Sequence, residues 1–107
     1  LNYYQKQAVR TAIYPDSHKI TYPALGLAGE AGEVANKVKK FVRDGYDVEG
    51  FELKKGELAS EIGDVLWYCA ALANDIGYNL QHIAQGNINK LNSRARRGKI
   101  GGDGDNR

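Results

Sequence analysis

Apolar residues recur with a helical period over the two longest stretches of this chain, and nowhere with the alternation of a half-buried strand. From Tyr22 to about Asp44 they fall at Ala31, Val34, Ala35, Val38, Phe41 and Val42. From about Lys54 to Ile76 they fall at Leu58, Ile62, Val65, Cys69, Leu72 and Ile76. Both sets repeat near the ~3.6-residue spacing of one helix face. The two prolines, Pro15 and Pro23, lie early and leave this region uninterrupted. The expected fold class is all-α, with four helices in a bundle.

Local signals set the boundaries. A first helix is expected from Asn2 to Tyr14, with Ala8, Ala12 and Ile13 on one side and Pro15 ending it. Asp16 to Thr21 reads as a connection, with Thr21 capping the next helix and Pro23 in its first turn. Gly45 is a plausible stop, and "YDVEGFELKKG" after it reads as a loop. Gly77 ends the third helix. Asn79 caps a last one, Leu80 to about Arg97, with Leu80, Ala84, Ile88 and Leu91 on its apolar side. Residues 1–97 then form one domain, and the Gly-rich 98–107, "GKIGGDGDNR", form a tail of flexible composition.

Size and charge exclude several classes. A chain of 107 residues is one domain with a modest core, so oligomerisation is expected. With 15 basic against 13 acidic residues, the net +2 gives no ground for nucleic-acid binding. No run approaches the ~18 apolar residues of a membrane span. A single cysteine, Cys69, rules out an internal disulfide and a Cys-cluster zinc site, and fits a cytoplasmic setting. Cys69 lies on the apolar stripe and reads as a core residue; His82 reads as surface. No secretory leader is evident, and the first residue is Leu1, as in a trimmed chain.

The chemistry is concentrated in "GLAGEAGEV", residues 26–34. Gly26, Gly29 and Gly32 each cost a helix roughly 1 kcal/mol relative to Ala. Among them stand Glu30 and Glu33, neighbours on one helix face. The next long helix repeats the device with Glu61 and Asp64 around Gly63, and Glu57 lies one turn earlier. If the two helices pack antiparallel, four or five carboxylates converge. Such a cluster must be compensated by cations or take up protons. Oxygen ligands without His or Cys suit Mg²⁺ or Mn²⁺, and no Glu-x-x-His of a di-iron bundle is present. Acidic pairs also occur on solvated helix faces; two pairs on consecutive helices, each among glycines, favour a site. Glycine there lets metal, phosphate or another helix approach the backbone. A multi-metal carboxylate site is suited to phosphoryl chemistry, which recruits basic groups. Lys37 shares the face of Glu30 and Glu33. Asn87, Lys90, Arg94 and Arg97 make a stripe on the last helix, which is equally compatible with a solvated basic face.

"LGLAGEAGEVANKVKK", "ELASEIGDVLWYCAALANDIG" and "IAQGNINKL", in that order, strongly resemble the MazG-like nucleotide pyrophosphohydrolases of the all-α NTP pyrophosphatase superfamily. The opening "LNYYQKQAVRTAIYP" resembles the start of short phage and bacterial members. The family's Glu-x-x-Glu, spacer, Glu-x-x-Asp reads here Glu30-Ala-Gly-Glu33, 27 residues, Glu61-Ile-Gly-Asp64. The resemblance implies Mg²⁺, with Mn²⁺ substituting, held by Glu30, Glu33, Glu61 and Asp64. It implies cleavage of a (d)NTP to (d)NMP and pyrophosphate by dimers or, in preference, tetramers, and a purine deoxynucleotide preference in some relatives. Glu33 and Glu61 are the catalytic candidates, Glu33 as the group that orients or deprotonates water. Lys90 and Asn87 match recurrent family positions as phosphate contacts, joined by Lys37, Arg94 and Arg97. The end of the chain departs from the family's Arg-Tyr-Pro-like finish. Aromatic residues near the site, Tyr22, Trp67 and Tyr68, could stack on a base or simply pack; Tyr3, Tyr4 and Gln5 are further candidates. A dUTP or phosphoribosyl-ATP pyrophosphohydrolase is the alternative on the same fold. A non-catalytic helical oligomer binding nucleic acid through its last helix is the alternative from another class. The acidic quartet argues against that one, since it would repel phosphate unless metal intervened.

Overall fold

The computed structural model describes residues 1–45 and 47–98. Among them are four α-helices, α1 (Asn2–Val9), α2 (Thr21–Asp44), α3 (Val48–Asp75) and α4 (Leu80–Arg96), with a single 3₁₀ turn at Asp16–His18 and no strand. The all-α expectation is met. Apart from Gly98, the 98–107 tail lies outside the described residues.

The long helices α2 and α3 form a hairpin, and α1 and α4 pack on α3 and on each other. The turn glycines behave as the sequence suggests: Gly45 has φ 66° and Gly77 φ 81°, a region that costs other residues sterically. Asn79 caps α4 by accepting the His82 amide at 2.9 Å.

Three boundaries differ from expectation. First, α1 stops at Val9 instead of Tyr14. The amides of Thr11 and Ala12 turn onto the Ala8 and Val9 carbonyls at 3.0 and 3.1 Å, tightening the backbone out of the α-helix. The Thr11 hydroxyl also donates to the Ala8 carbonyl at 2.7 Å and accepts the Trp67 indole N–H at 2.8 Å. Second, α3 begins at Val48, so most of the expected "YDVEGFELKKG" loop is helical. Asp47 caps it, its carboxylate accepting the Gly50 amide at 2.7 Å, with Glu49 favourably placed in the first turn. Third, Thr21 is the first helical residue and not the cap. The preceding Ile20 has φ 68° and ψ −56°, with the Thr21 amide donating to the Lys19 carbonyl at 2.7 Å. That is a γ-turn of the strained hand, centred on a β-branched residue.

The core is small and alanine-rich. Ala8, Ala70, Ala73 and Leu80 are buried together, with Tyr4, Leu66, Trp67 and Cys69 packed against them. Gln5, itself buried, ties the join: its amide donates to the Ala70 and Tyr78 carbonyls at 3.3 and 3.1 Å and accepts the Leu80 amide at 2.8 Å. Cys69 is half-buried against the core, as expected, and burial pushes its thiol up. Ile13 is 95% exposed, so it is not part of a packed face.

The expected apolar stripes are only partly covered within one chain. Phe41 is buried and Val34 half-buried on α2, but Val38 and Val42 are exposed, as is Ile62 on α3; outside the expected stripes, Leu25 and Leu53 are exposed as well. The radius of gyration, 16.9 Å, exceeds the ~13 Å of a compact domain of this length. The reason is the arrangement: α1 and α4 lie against one part of α3, and the hairpin extends beyond them.

Candidate active site

The α2–α3 hairpin brings one carboxylate oxygen each of Glu30, Glu61 and Asp64 within 4.8 Å of one another. Glu30 faces across from α2, and Glu61 and Asp64 come from successive turns of α3. Desolvation first, then the neighbouring Glu61, Asp64 and Glu33 carboxylates, hold the Glu30 carboxyl above the usual carboxylate range. The donor set is oxygen only, clustered and under-neutralised, and therefore fits a hard divalent cation such as Mg²⁺ or Mn²⁺.

The remaining candidates fall at different distances from this trio. Glu33 is exposed and outside the group of three, though close enough to repel Glu30. Lys37 stands over α3, its ammonium 3.8 Å from both Glu61 and Glu57. Lys54 reaches Glu57 at 3.5 Å. Glu57 therefore holds two lysines at the edge of the cluster, a role that spacing alone did not reveal. On α4, Arg94 is buried at 4% exposure, Lys90 is half-buried, and Asn87 and Arg97 are exposed. None of these four lines a described cleft around Glu30 and Asp64, which is walled by Trp67 and Tyr68.

That open cleft has a volume of about 290 Å³. Its aromatic wall is braced from behind. Tyr14 stacks on Tyr22 with centroids 4.8 Å apart, Tyr22 leans toward Tyr68 at 6.3 Å, and Trp67 meets Tyr68 edge-on at 4.9 Å. Burial first, then the neighbouring Tyr22, Glu30 and Asp64, push the Tyr68 phenol above its ordinary value. Burial and the nearby Asp64 do the same to Tyr4. Of the first-helix candidates, Tyr4 packs against the core, Gln5 is buried and Tyr3 is exposed; none of them lines the cleft.

The glycines separate into two kinds. A Cβ at Gly26 would overlap the Cε1, Cζ and Cδ1 atoms of Tyr68, whereas Cβ atoms at Gly29, Gly32 and Gly63 would meet nothing within 4 Å. Close packing inside the chain accounts for Gly26 alone.

An all-helical hairpin that clusters Glu and Asp oxygens beside an aromatic cleft defines a helical protein with an acidic site suited to a hard divalent cation. Residues 18–98 match the MazG nucleotide pyrophosphohydrolase domain, and the chain belongs to that family. It is 48% identical over 110 residues to the Gene 37 protein of Mycobacterium phage L5, covering 97% of this chain and 96% of that one. No solved structure matches it significantly. No helix among the described residues is long and apolar enough to cross a membrane.

Proposed function

We propose that this protein is a divalent-cation-dependent nucleoside triphosphate pyrophosphohydrolase that converts a (d)NTP and water to (d)NMP and pyrophosphate. The observation that carries this reading is the convergence of Glu30, Glu61 and Asp64 in a chain of the MazG family. Mg²⁺ is the assigned cation, held by these three with Glu33 completing the set at the mouth, and Mn²⁺ substitutes for it. Bound there, the ion supplies neutralisation of the triphosphate and acidification of a coordinated water.

The chain's own groups do the rest. Glu61, clustered with Glu30 and Asp64, is assigned to accept a proton, and exposed Glu33 to orient water at the solvent side. Lys37, its ammonium 3.8 Å from Glu61, is assigned to the phosphates. Asn87, Lys90, Arg94 and Arg97 are assigned as further phosphate contacts from α4. Purine deoxynucleotides are the preferred substrates in this reading. The protein works as a homo-oligomer, dimeric or tetrameric, in the cytoplasm. Leu25, Val38, Val42, Leu53 and Ile62, exposed on the hairpin, support association, since apolar surface of this kind marks partner sites.

The test is chromatographic identification of products from eight (d)NTPs incubated with the protein and Mg²⁺. Release of monophosphate and pyrophosphate, absent when the ion is chelated, supports the reading. Diphosphate and inorganic phosphate as products, or no turnover with any of the eight, overturns it.

A further inference from the structure

Gly26 and Tyr68 meet across the α2–α3 hairpin, one helical turn before Glu30 on α2 and one after Asp64 on α3. The tyrosine ring lies against the bare Cα, in space that any Cβ at position 26 would fill. Its other neighbours are fixed. Trp67 presents its edge at 4.9 Å and is anchored by its indole N–H on the Thr11 hydroxyl at 2.8 Å. Tyr22 stands at 6.3 Å, itself stacked on Tyr14. Tyr68 also lines the cleft shared with Glu30 and Asp64, so a ring pushed off α2 can swing into that cleft.

We propose that Gly26 is a positioning residue: by lacking a side chain it seats Tyr68 against α2 and so keeps open the cleft through which a nucleotide reaches Glu30 and Asp64. The proposal rests on the nucleotide reading given above for its substrate, though not for its geometry. Gly29, Gly32 and Gly63 are not interchangeable with Gly26, because nothing packs on them within the chain. The carboxylates lie on other turns of the helices, so displacement of Tyr68 obstructs entry without moving them. The kinetic consequence is a change in KM and not in kcat.

The test compares the full chain with Gly26→Ala, Tyr68→Ala and the double variant. Trp67 is the sole tryptophan, and its near-ultraviolet circular dichroism reports the placement of the Tyr68 ring. Gly26→Ala is expected to keep its far-ultraviolet spectrum, to change the Trp67 band, and to raise KM for the best nucleoside triphosphate at least fivefold with kcat within twofold. In the double variant, position 26 becomes silent: band and KM match those of Tyr68→Ala within twofold. An unchanged Trp67 band and KM in Gly26→Ala overturns the proposal, and so does a double variant whose effects simply add. If Gly26→Ala alone does not fold, the double variant decides: folding restored with a KM within twofold of Tyr68→Ala supports the steric relationship, and a double variant that stays unfolded or exceeds the Tyr68→Ala KM by more than twofold overturns it. Should the wild-type chain hydrolyse no nucleotide, the functional reading fails, while the Trp67 band still decides the placement of Tyr68.

Discussion

Asp75, near the end of α3, accepts the backbone amide of Ile20 at 2.9 Å and so fastens the strained turn from which α2 starts. The same carboxylate oxygen accepts the Tyr14 hydroxyl at 2.8 Å. One side chain thereby sets both the entry of the helix that carries Glu30 and the first ring of the aromatic series behind the cleft. A β-branched residue at positive φ persists only where its surroundings over-determine it.

Asp75→Ala is therefore expected to destabilise the protein by about 2 kcal/mol, in line with loss of charge-assisted hydrogen bonds to a half-buried acceptor. Ile20→Gly should act in the opposite direction, by roughly 0.5–1 kcal/mol, since glycine adopts the turn without steric cost and loses part of the gain to its freer unfolded chain. Thermal and urea denaturation of the two variants check both signs. A stabilised Asp75→Ala protein would refute the account of the turn.

The Tyr14 phenol is pushed up to about 12 by burial first and then by its hydrogen bond to, and repulsion from, Asp75. In the unfolded chain it ionises near 10.0. Between these values the folded state retains a proton that the unfolded state has lost. Its contribution to stability is thus fully present below pH 10 and is lost as pH rises toward 12. Titration followed by tyrosinate absorbance should show a late-ionising fraction that includes Tyr14, and Asp75→Asn should bring that part of it earlier.

Glu30 has the same sign of shift in a carboxyl. Its folded-state value lies above 4.5, so without metal the folded state binds the extra proton and gains stability as pH falls through that window. Glu30→Gln should raise the melting temperature in chelator and flatten this pH dependence, while weakening Mn²⁺ binding measured calorimetrically. Glu61→Gln should lower turnover by on the order of 10²-fold or more while leaving the protein folded, the scale of a lost general base. A Glu61→Gln protein with full rate removes Glu61 from the chemistry.

How much of this was readable beforehand depended on how local each signal was. Periodicity located α2 and most of α3, and Gly45, Gly77 and Asn79 ended or capped helices as their conformational preferences require. The early start of α3 was masked by Gly50 and Gly56, although Asp47 with Glu49 two residues on is a start signal that outweighs them. The end of α1 was not local: it depends on Thr11 meeting Trp67, 56 positions away. At the site, a three-residue spacing placed Glu30 and Glu33 together on α2 but could not say which of them faces α3. The helix turns some 60° between them, enough to leave Glu33 in solvent. Likewise the glycines looked alike in sequence, and only the partner across the hairpin distinguishes Gly26 from Gly29 and Gly32.

Lys37 offers a sharper separation of roles. Its ammonium stands 3.8 Å from Glu61 and from Glu57, with its side chain 28% exposed. A fixed positive charge at that distance competes with a divalent ion for the same carboxylate, yet attracts the phosphates that the ion also binds. Lys37→Met should therefore tighten Mn²⁺ binding to the nucleotide-free protein, by roughly 3- to 10-fold after allowance for solvent screening. The same substitution should raise KM for nucleotide, because the phosphate partner is gone. The first effect should shrink in high salt, since the pair is only partly buried. Calorimetric titration with Mn²⁺ at two ionic strengths, set beside steady-state kinetics, reads both. Weaker Mn²⁺ binding in Lys37→Met would mean that the lysine organises Glu61 for the ion instead of competing with it.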